Sequence, residues 1–261
     1  ADIIHTEPSQ FSPVVVYEEV GQRCITFGSL RAVGRQTCLE LAQPQKMVFD
    51  YTRMMMAALF VQPDARRVLI IGLGGGTLPK ALAQVLPQAT IDTVEIDPAV
   101  IRVAERFFDY RPGERQRVFV ADGREFVETA RREQRQYDLV MLDAFDIDYI
   151  PQHLLTREFL QQVRAILAPG GVLAANTFTG SQLYPRESAT YAHVFGDFFN
   201  LRAGNRVILA RNGPLPDAGQ LQRNAQTLAG ALAPYGIDVA RELQRFSRER
   251  DWPDDAPILT D

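Results

Sequence analysis

The sequence predicts an α/β protein in which a parallel sheet carries helices on both faces, preceded by a small antiparallel β unit. Three observations carry this. From Arg66 onward, apolar runs of strand length alternate with helical stretches, the pattern of βα units that build a parallel sheet. A glycine cluster, Gly72-Leu73-Gly74-Gly75-Gly76, falls between the first of those runs and the helix after it. Before residue 45, short β-prone runs are instead separated by glycine turns, as in an antiparallel meander.

In chain order, residues 11–19 (FSPVVVYEE) and 23–27 flank a Gly21-Gln22 turn, and a third strand is expected over 35–41. Residues 45–61 are helical in propensity and close at Gln62-Pro63-Asp64. Met54, Met55 and Met56 within them read as core filler, since flexible thioethers fit irregular gaps. Strands follow at 68–71, 91–96, 118–120, 139–142 and 172–175, with helices at 78–86, 99–108, 125–132 and 157–167. Asp97 ahead of Pro98 suits a helix start, as does Thr156 with Glu158 in the first turn. The turn LAPGGV, residues 167–172, stops a helix and leads into the fifth strand. A helix at 188–198, strands near Asn200 and at 207–210, a helical stretch over 217–246 and an irregular tail complete the chain. The expected division is a β unit at 1–45 and an α/β domain at 46–261.

Composition narrows the function. The 261 residues are 46% apolar, with 28 Lys plus Arg against 32 Asp plus Glu, which fits a folded chain and excludes disorder. A net charge of −4 gives no footprint for nucleic acid or an anionic membrane, and suits a small cationic partner better. No stretch reaches the roughly 18 apolar residues of a membrane helix. His5, His153 and His193 are far apart, so no histidine metal centre is expected. Cys24 and Cys38 lie in no CxxC motif and read as reduced thiols, which implies a cytoplasmic protein.

Four motifs carry chemistry. Gly72, Gly74, Gly75 and Gly76 let backbone N–H groups approach a ligand at a helix start, although a plain turn would use the same residues. Glu95 ends the next strand about 20 residues on, where a carboxylate accepts hydrogen bonds from ribose hydroxyls. Asp122, in FVADGREF, ends the third strand; it suits an exocyclic amine such as that of adenine, and suits equally the cap of the following helix. Asp143 closes the fourth strand, with Asp146 and Asp148 just beyond in DAFDIDYIP. Carboxylates grouped at that sheet edge attract a cation and raise one another's pKa, which favours a base.

The GLGGG, VEID, ADG and LAPGGVL series resembles class I S-adenosylmethionine-dependent transferases, and more narrowly the spermidine/spermine synthase family of polyamine aminopropyltransferases, over residues 9–213. The resemblance implies a Rossmann-like, mostly parallel seven-stranded sheet and an N-terminal β domain that helps form a homodimer. It implies aminopropyl transfer from decarboxylated S-adenosylmethionine to an amine such as putrescine, with no prosthetic group or metal. By this resemblance Glu95 binds ribose, Asp122 contacts adenine, Asp143 helps deprotonate the amine, and Asp146, with Asp148, holds the polyamine. Tyr51 in FDYTRMM matches a tyrosine lying against the amine, and Gln36 a glutamine on the donor side. With its departures the pattern resembles a divergent branch of that family, some of whose members are fused to membrane transporter domains. The glycine loop lacks the usual acidic residue, Phe11-Ser12 replaces a Tyr-Gln pair, and Thr52-Arg53 follows the tyrosine. A Tyr-Pro loop is missing over 200–206, and DAFDIDYIP replaces DSxDPxGP. Methyl transfer from intact S-adenosylmethionine, with Arg53 pairing the donor carboxylate, is the alternative; a non-catalytic nucleoside-binding homologue is the third reading.

Overall fold

The computed structural model describes residues 1–28, 37–144 and 151–261. Strands β1 (Asp2–Glu7), β2 (Val14–Glu19), β3 (Gln22–Phe27) and β4 (Thr37–Glu40) form an antiparallel sheet in that order. The expected meander is present, with one further strand. Sequence reading passed over β1 because it is an edge strand whose Ile3 and Ile4 stay exposed, so no apolar face marks it.

The second sheet has seven strands: β5 (Arg67–Ile71), β6 (Thr90–Glu95), β7 (Gln116–Val120), β8 (Tyr137–Leu142), β9 (Leu167–Phe178), β10 (Phe199–Ala203) and β11 (Asn205–Arg211). Their spatial order is β7-β6-β5-β8-β9-β11-β10, and only the two pairings made by β11 are antiparallel. This is the mostly parallel Rossmann-like sheet that the sequence predicts. Burial on both faces follows from strand alternation. Val68 and Ile70 face one core, with Met54, Leu78, Leu82 and Leu228 from α1 (Asp50–Met56), α2 (Thr77–Val85) and α7 (Ala218–Leu232). Leu69 and Ile71 face the other, with Val127, Phe159, Val163 and Tyr191 from α4 (Gly123–Arg132), α5 (Arg157–Ile166) and α6 (Tyr184–Phe195). Helix α3 (Pro98–Phe107) joins the two sheets: its Val100 and Val103 pack with Val14, Val16 and Ile25. A short helix α8 (Val239–Arg245) precedes the irregular tail, where Trp252 stacks on Phe198.

Several boundaries match their chemistry. Asp97 accepts from Ala99 N ahead of Pro98, and Thr156 accepts from Phe159 N. The LAPGGV turn appears as a bulge, since pairing passes from Tyr137↔Leu167 to Leu139↔Val172. The helix expected over 45–61 is shorter: α1 begins at Asp50 and tightens to a 3-10 turn over Ala57–Phe60. Met47 is drawn out of it because its N–H donates to Tyr235 O and its side chain is buried.

The cysteine reading is corrected. Antiparallel pairing sets Cys24 directly opposite Cys38, with Cα atoms 4.1 Å apart, and the two form a disulfide. Their separation of 14 residues carries no motif, so only the sheet register brings them together. No helix among the described residues is long and apolar enough to cross a membrane.

Candidate active site

The strand order of the large sheet reverses between β5 and β8, and the carboxyl ends of these strands open a crevice where ligands of such sheets bind. A cavity of about 500 Å³ lies there. Its floor is tight: Gly72 has φ +101°, and a Cβ at that position would lie 2.3 Å from the Asp143 carbonyl oxygen. Only glycine lets the two strand ends come this close. Gly76, at φ +80°, starts α2 and leaves room for the Tyr110 ring. Gly75 N donates to Thr37 Oγ1 at 3.0 Å, which fastens the loop to the N-terminal sheet.

Among the described residues, four carboxylates line the cavity. Glu95 accepts from Leu73 N and Asp97 N, each at 3.0 Å, so it braces the glycine loop with one lone pair on each oxygen. Burial pushes its pKa above the usual carboxylate range, against the pull of those N–H donors. Asp97 is occupied, capping α3 and accepting from Ser9 Oγ at 2.6 Å. Asp122 caps α4 through Oδ2, which accepts from Arg124 N and Glu125 N at 3.1 Å. Its Oδ1 lies 2.6 Å from His153 Nε2. Asp122 therefore makes the helix cap, one of the two roles the sequence offers it, and also lines the cavity.

Asp143 is the fourth, at the end of β8. Asn176 Nδ2 donates to its Oδ1 at 3.3 Å, and the Tyr51 hydroxyl donates to it as well. Burial raises the Asp143 pKa to about 7; the two donors oppose that rise and the charge of Glu95 adds to it. The same burial, with Asp143 alongside, holds the Tyr51 hydroxyl well above its ordinary value, so it stays protonated. The structure thus brings Tyr51, the glycine loop, Glu95, Asp122 and Asp143 to one cavity. Gln36, Asp146 and Asp148 lie outside the described residues.

Arg53 does not reach the cavity. It pairs with Asp50 at 2.7 Å and donates to Met47 O, which removes the cationic partner expected for a donor carboxylate. Among the described lining residues, His153 is the single side chain able to carry positive charge. A described lining of four carboxylates and one imidazole attracts a cation.

Residues 48–202 match the family described as the spermine/spermidine synthase domain. A polyamine aminopropyltransferase of Vibrio vulnificus is 43% identical over 99% of this chain and 88% of its own. The chain belongs to the spermine/spermidine synthase family. It is accordingly a transferase enzyme, with polyamine aminopropyltransferases as homologues. A probable spermidine synthase from Corynebacterium glutamicum shares the fold with a TM-score of 0.75 at 21% identity, covering 100% of this chain and 97% of that one. Human methyltransferase-like protein 13 in complex with SAH aligns with a TM-score of 0.65 at 25% identity, over 79% of this chain and 96% of its own.

Within this family's fold, the N-terminal sheet supplies cavity residues that sequence reading did not assign to the site. Phe11 and Ser12, at the position of the replaced Tyr-Gln pair, line it together with Phe27 and Thr37. His153 and Asn176 were missed too, since neither belongs to a motif and only the folded chain brings them to Asp122 and Asp143. The absent Tyr-Pro loop has a structural counterpart: β10 and β11 are joined by Gly204 alone, at φ +79°. A second hollow of about 580 Å³, by Arg164, His193 and Asn212, lies toward the opposite ends of the parallel strands and has no carboxylate among its described lining residues.

Proposed function

We propose that the protein transfers an aminopropyl group from decarboxylated S-adenosylmethionine to a small cationic amine such as putrescine. The observation that carries this reading is the Tyr51–Asp143 pair on the floor of a carboxylate-lined cavity that holds no Lys or Arg among its described residues. A sulfonium donor without a carboxylate suits such a cavity; the intact donor would bring an anion whose basic partner, among the described lining residues, is His153 alone.

On this reading the glycine loop and Glu95 hold the nucleoside, Gln36 is assigned to the donor, and Asp122 faces the adenine. The amine enters as an ammonium, which has no lone pair. Asp143 takes one proton, and the freed nitrogen attacks the aminopropyl carbon next to sulfur from about 3–3.5 Å. As the N–C bond forms, the C–S bond breaks and its electron pair stays on sulfur, giving a neutral thioether nucleoside. Tyr51, fixed as a donor, keeps the Asp143 carboxylate aimed at the incoming nitrogen. Asp146 and Asp148 are assigned to the distal ammonium through charge-assisted hydrogen bonds.

The family favours a homodimer and a cytoplasmic location. Exposed Ile3 and Ile4 on the edge strand β1 support the first. The Cys24–Cys38 bond weighs against the second, because disulfides persist mainly in oxidising compartments.

The test is to incubate the protein with each donor and a panel of diamines and to identify products by mass spectrometry. An aminopropylated amine is expected from the decarboxylated donor, with Asp143→Asn inactive yet still binding the thioether nucleoside in calorimetry. Methylated product from the intact donor, or unchanged turnover by Asp143→Asn, would overturn the reading.

A further inference from the structure

We infer that Asn176 and Asn205 form a two-amide relay that sets the orientation and proton affinity of Asp143, acting as positioning residues from behind the cavity. The inference rests on Asp143 being the base of the proposed reaction, but its physical content concerns the carboxyl group itself.

The relay runs across three neighbouring strands. Leu142 on β8 pairs with Ala175 on β9, so Asp143 and Asn176 follow each other at the carboxyl end. Asn205 on β11 pairs with Phe178, two residues beyond Asn176, which puts both asparagines on one face of the sheet. Asn176 Nδ2 donates to Asp143 Oδ1 at 3.3 Å, and Asn205 Nδ2 donates to Asn176 Oδ1 at 3.0 Å. A carboxylate only accepts, so Asn176 must present its NH₂ to Asp143 and turn its oxygen away. The donor from Asn205 satisfies that oxygen and blocks the flipped amide. Asn176 is 3% exposed and does not line the cavity, and it follows the apolar run Val172, Leu173, Ala174 and Ala175. Strand interiors disfavour asparagine, and a buried amide is costly unless bonded at both ends.

Among the described residues, the charged and titratable groups acting on Asp143 are Tyr51 from α1 and Glu95 from β6; the side of β9 contributes the neutral amide. Burial and Glu95 favour the protonated acid, whereas Tyr51 and Asn176 favour the carboxylate. A base that must be ionised near neutral pH therefore depends on the amide donor. Asn205 acts one step further back, by keeping that donor pointed the right way.

The experiment measures kcat/KM against pH for the wild type, Asn176→Leu and Asn205→Leu, with Asn176→Ser where the leucine variant does not fold. In parallel the Asp143 carboxyl carbon, identified by its loss in Asp143→Asn, is titrated by carbon-13 NMR. For Asn176→Leu the acid limb and the carboxyl titration both move up by about one pH unit, a roughly tenfold loss at the foot of the limb that recovers at higher pH. Asn205→Leu moves both in the same direction by less, and nucleoside affinity stays unchanged in each variant. A shifted carboxyl titration with an unmoved acid limb leaves the relay standing and overturns Asp143 as the base. An unmoved carboxyl titration in a folded Asn176 variant overturns the relay.

Discussion

Asp143 is held near neutral pH by where the chain puts it, and that placement has a consequence for stability as well as for catalysis. Its carboxyl titrates at about 7 in the fold, against about 3.9 in an unfolded chain. The folded state therefore holds this proton more tightly than the unfolded one. Below about pH 3.9 the group is neutral in both states and costs nothing; as pH rises through 7 it must ionise in a buried site, and stability falls across that window. Asp143→Asn keeps the shape without that charge. Its melting temperature, compared with the wild type, should gain from pH 4 to pH 8 and level off beyond, as followed by calorimetry in a pH series. A constant difference over that range would mean that Asp143 does not titrate there. Loss of turnover with gain in stability at pH 8 is the expected pair of effects, a group strained for its reaction.

At the scale of elements, the tight point is the turn after β5. Gly72→Ala adds a methyl carbon 2.3 Å from the Asp143 carbonyl oxygen at a φ that side chains rarely adopt. The strand ends must part, so a fall in stability of about 1–3 kcal/mol is expected with donor affinity weakened at least tenfold, read from denaturant unfolding and calorimetry. Near-normal donor affinity would show that the loop can be seated another way. This turn was legible in the sequence because glycines between an apolar run and a helix have a backbone reason to be there. The parallel strands were legible for a similar reason: buried on both faces, runs such as VLII and LVML are apolar throughout. What escaped was contact made across elements. Nothing local in LAANTF marks Asn176 as the neighbour of Asp143, and nothing in the β-rich start shows that Thr37 will reach Gly75. Residues 45–49 escaped the other way, their helical propensity overridden by the Met47–Tyr235 contact.

For the whole molecule, the question is how the small sheet acts on the large one. The two share a core through α3, and polar links reinforce it: Ser9 to Asp97, Arg23 to Phe107 O, Arg102 to Glu7 and Thr37 to Gly75. The last link sits next to the disulfide, since Thr37 and Cys38 are the first two residues of β4, and Cys38 is bonded to Cys24 on β3. The bond thus ties to its neighbour the strand that fastens the glycine loop. Closing a loop of this size lowers the entropy of the unfolded chain and contributes about 3 kcal/mol. Reduction of the folded protein, or the Cys24→Ser/Cys38→Ser pair, should lower the melting temperature in a single cooperative transition, because Val14, Val16 and Ile25 of the small sheet pack into one core with α3. It should also raise the donor KM several-fold while kcat changes little, because Thr37 touches the glycine loop proposed to hold the nucleoside and not the Tyr51–Asp143 pair. Steady-state kinetics with the thiols counted before and after reduction test this. A donor KM unchanged in fully reduced protein would mean that the hydrogen bond from Gly75 to Thr37 holds without the disulfide behind it.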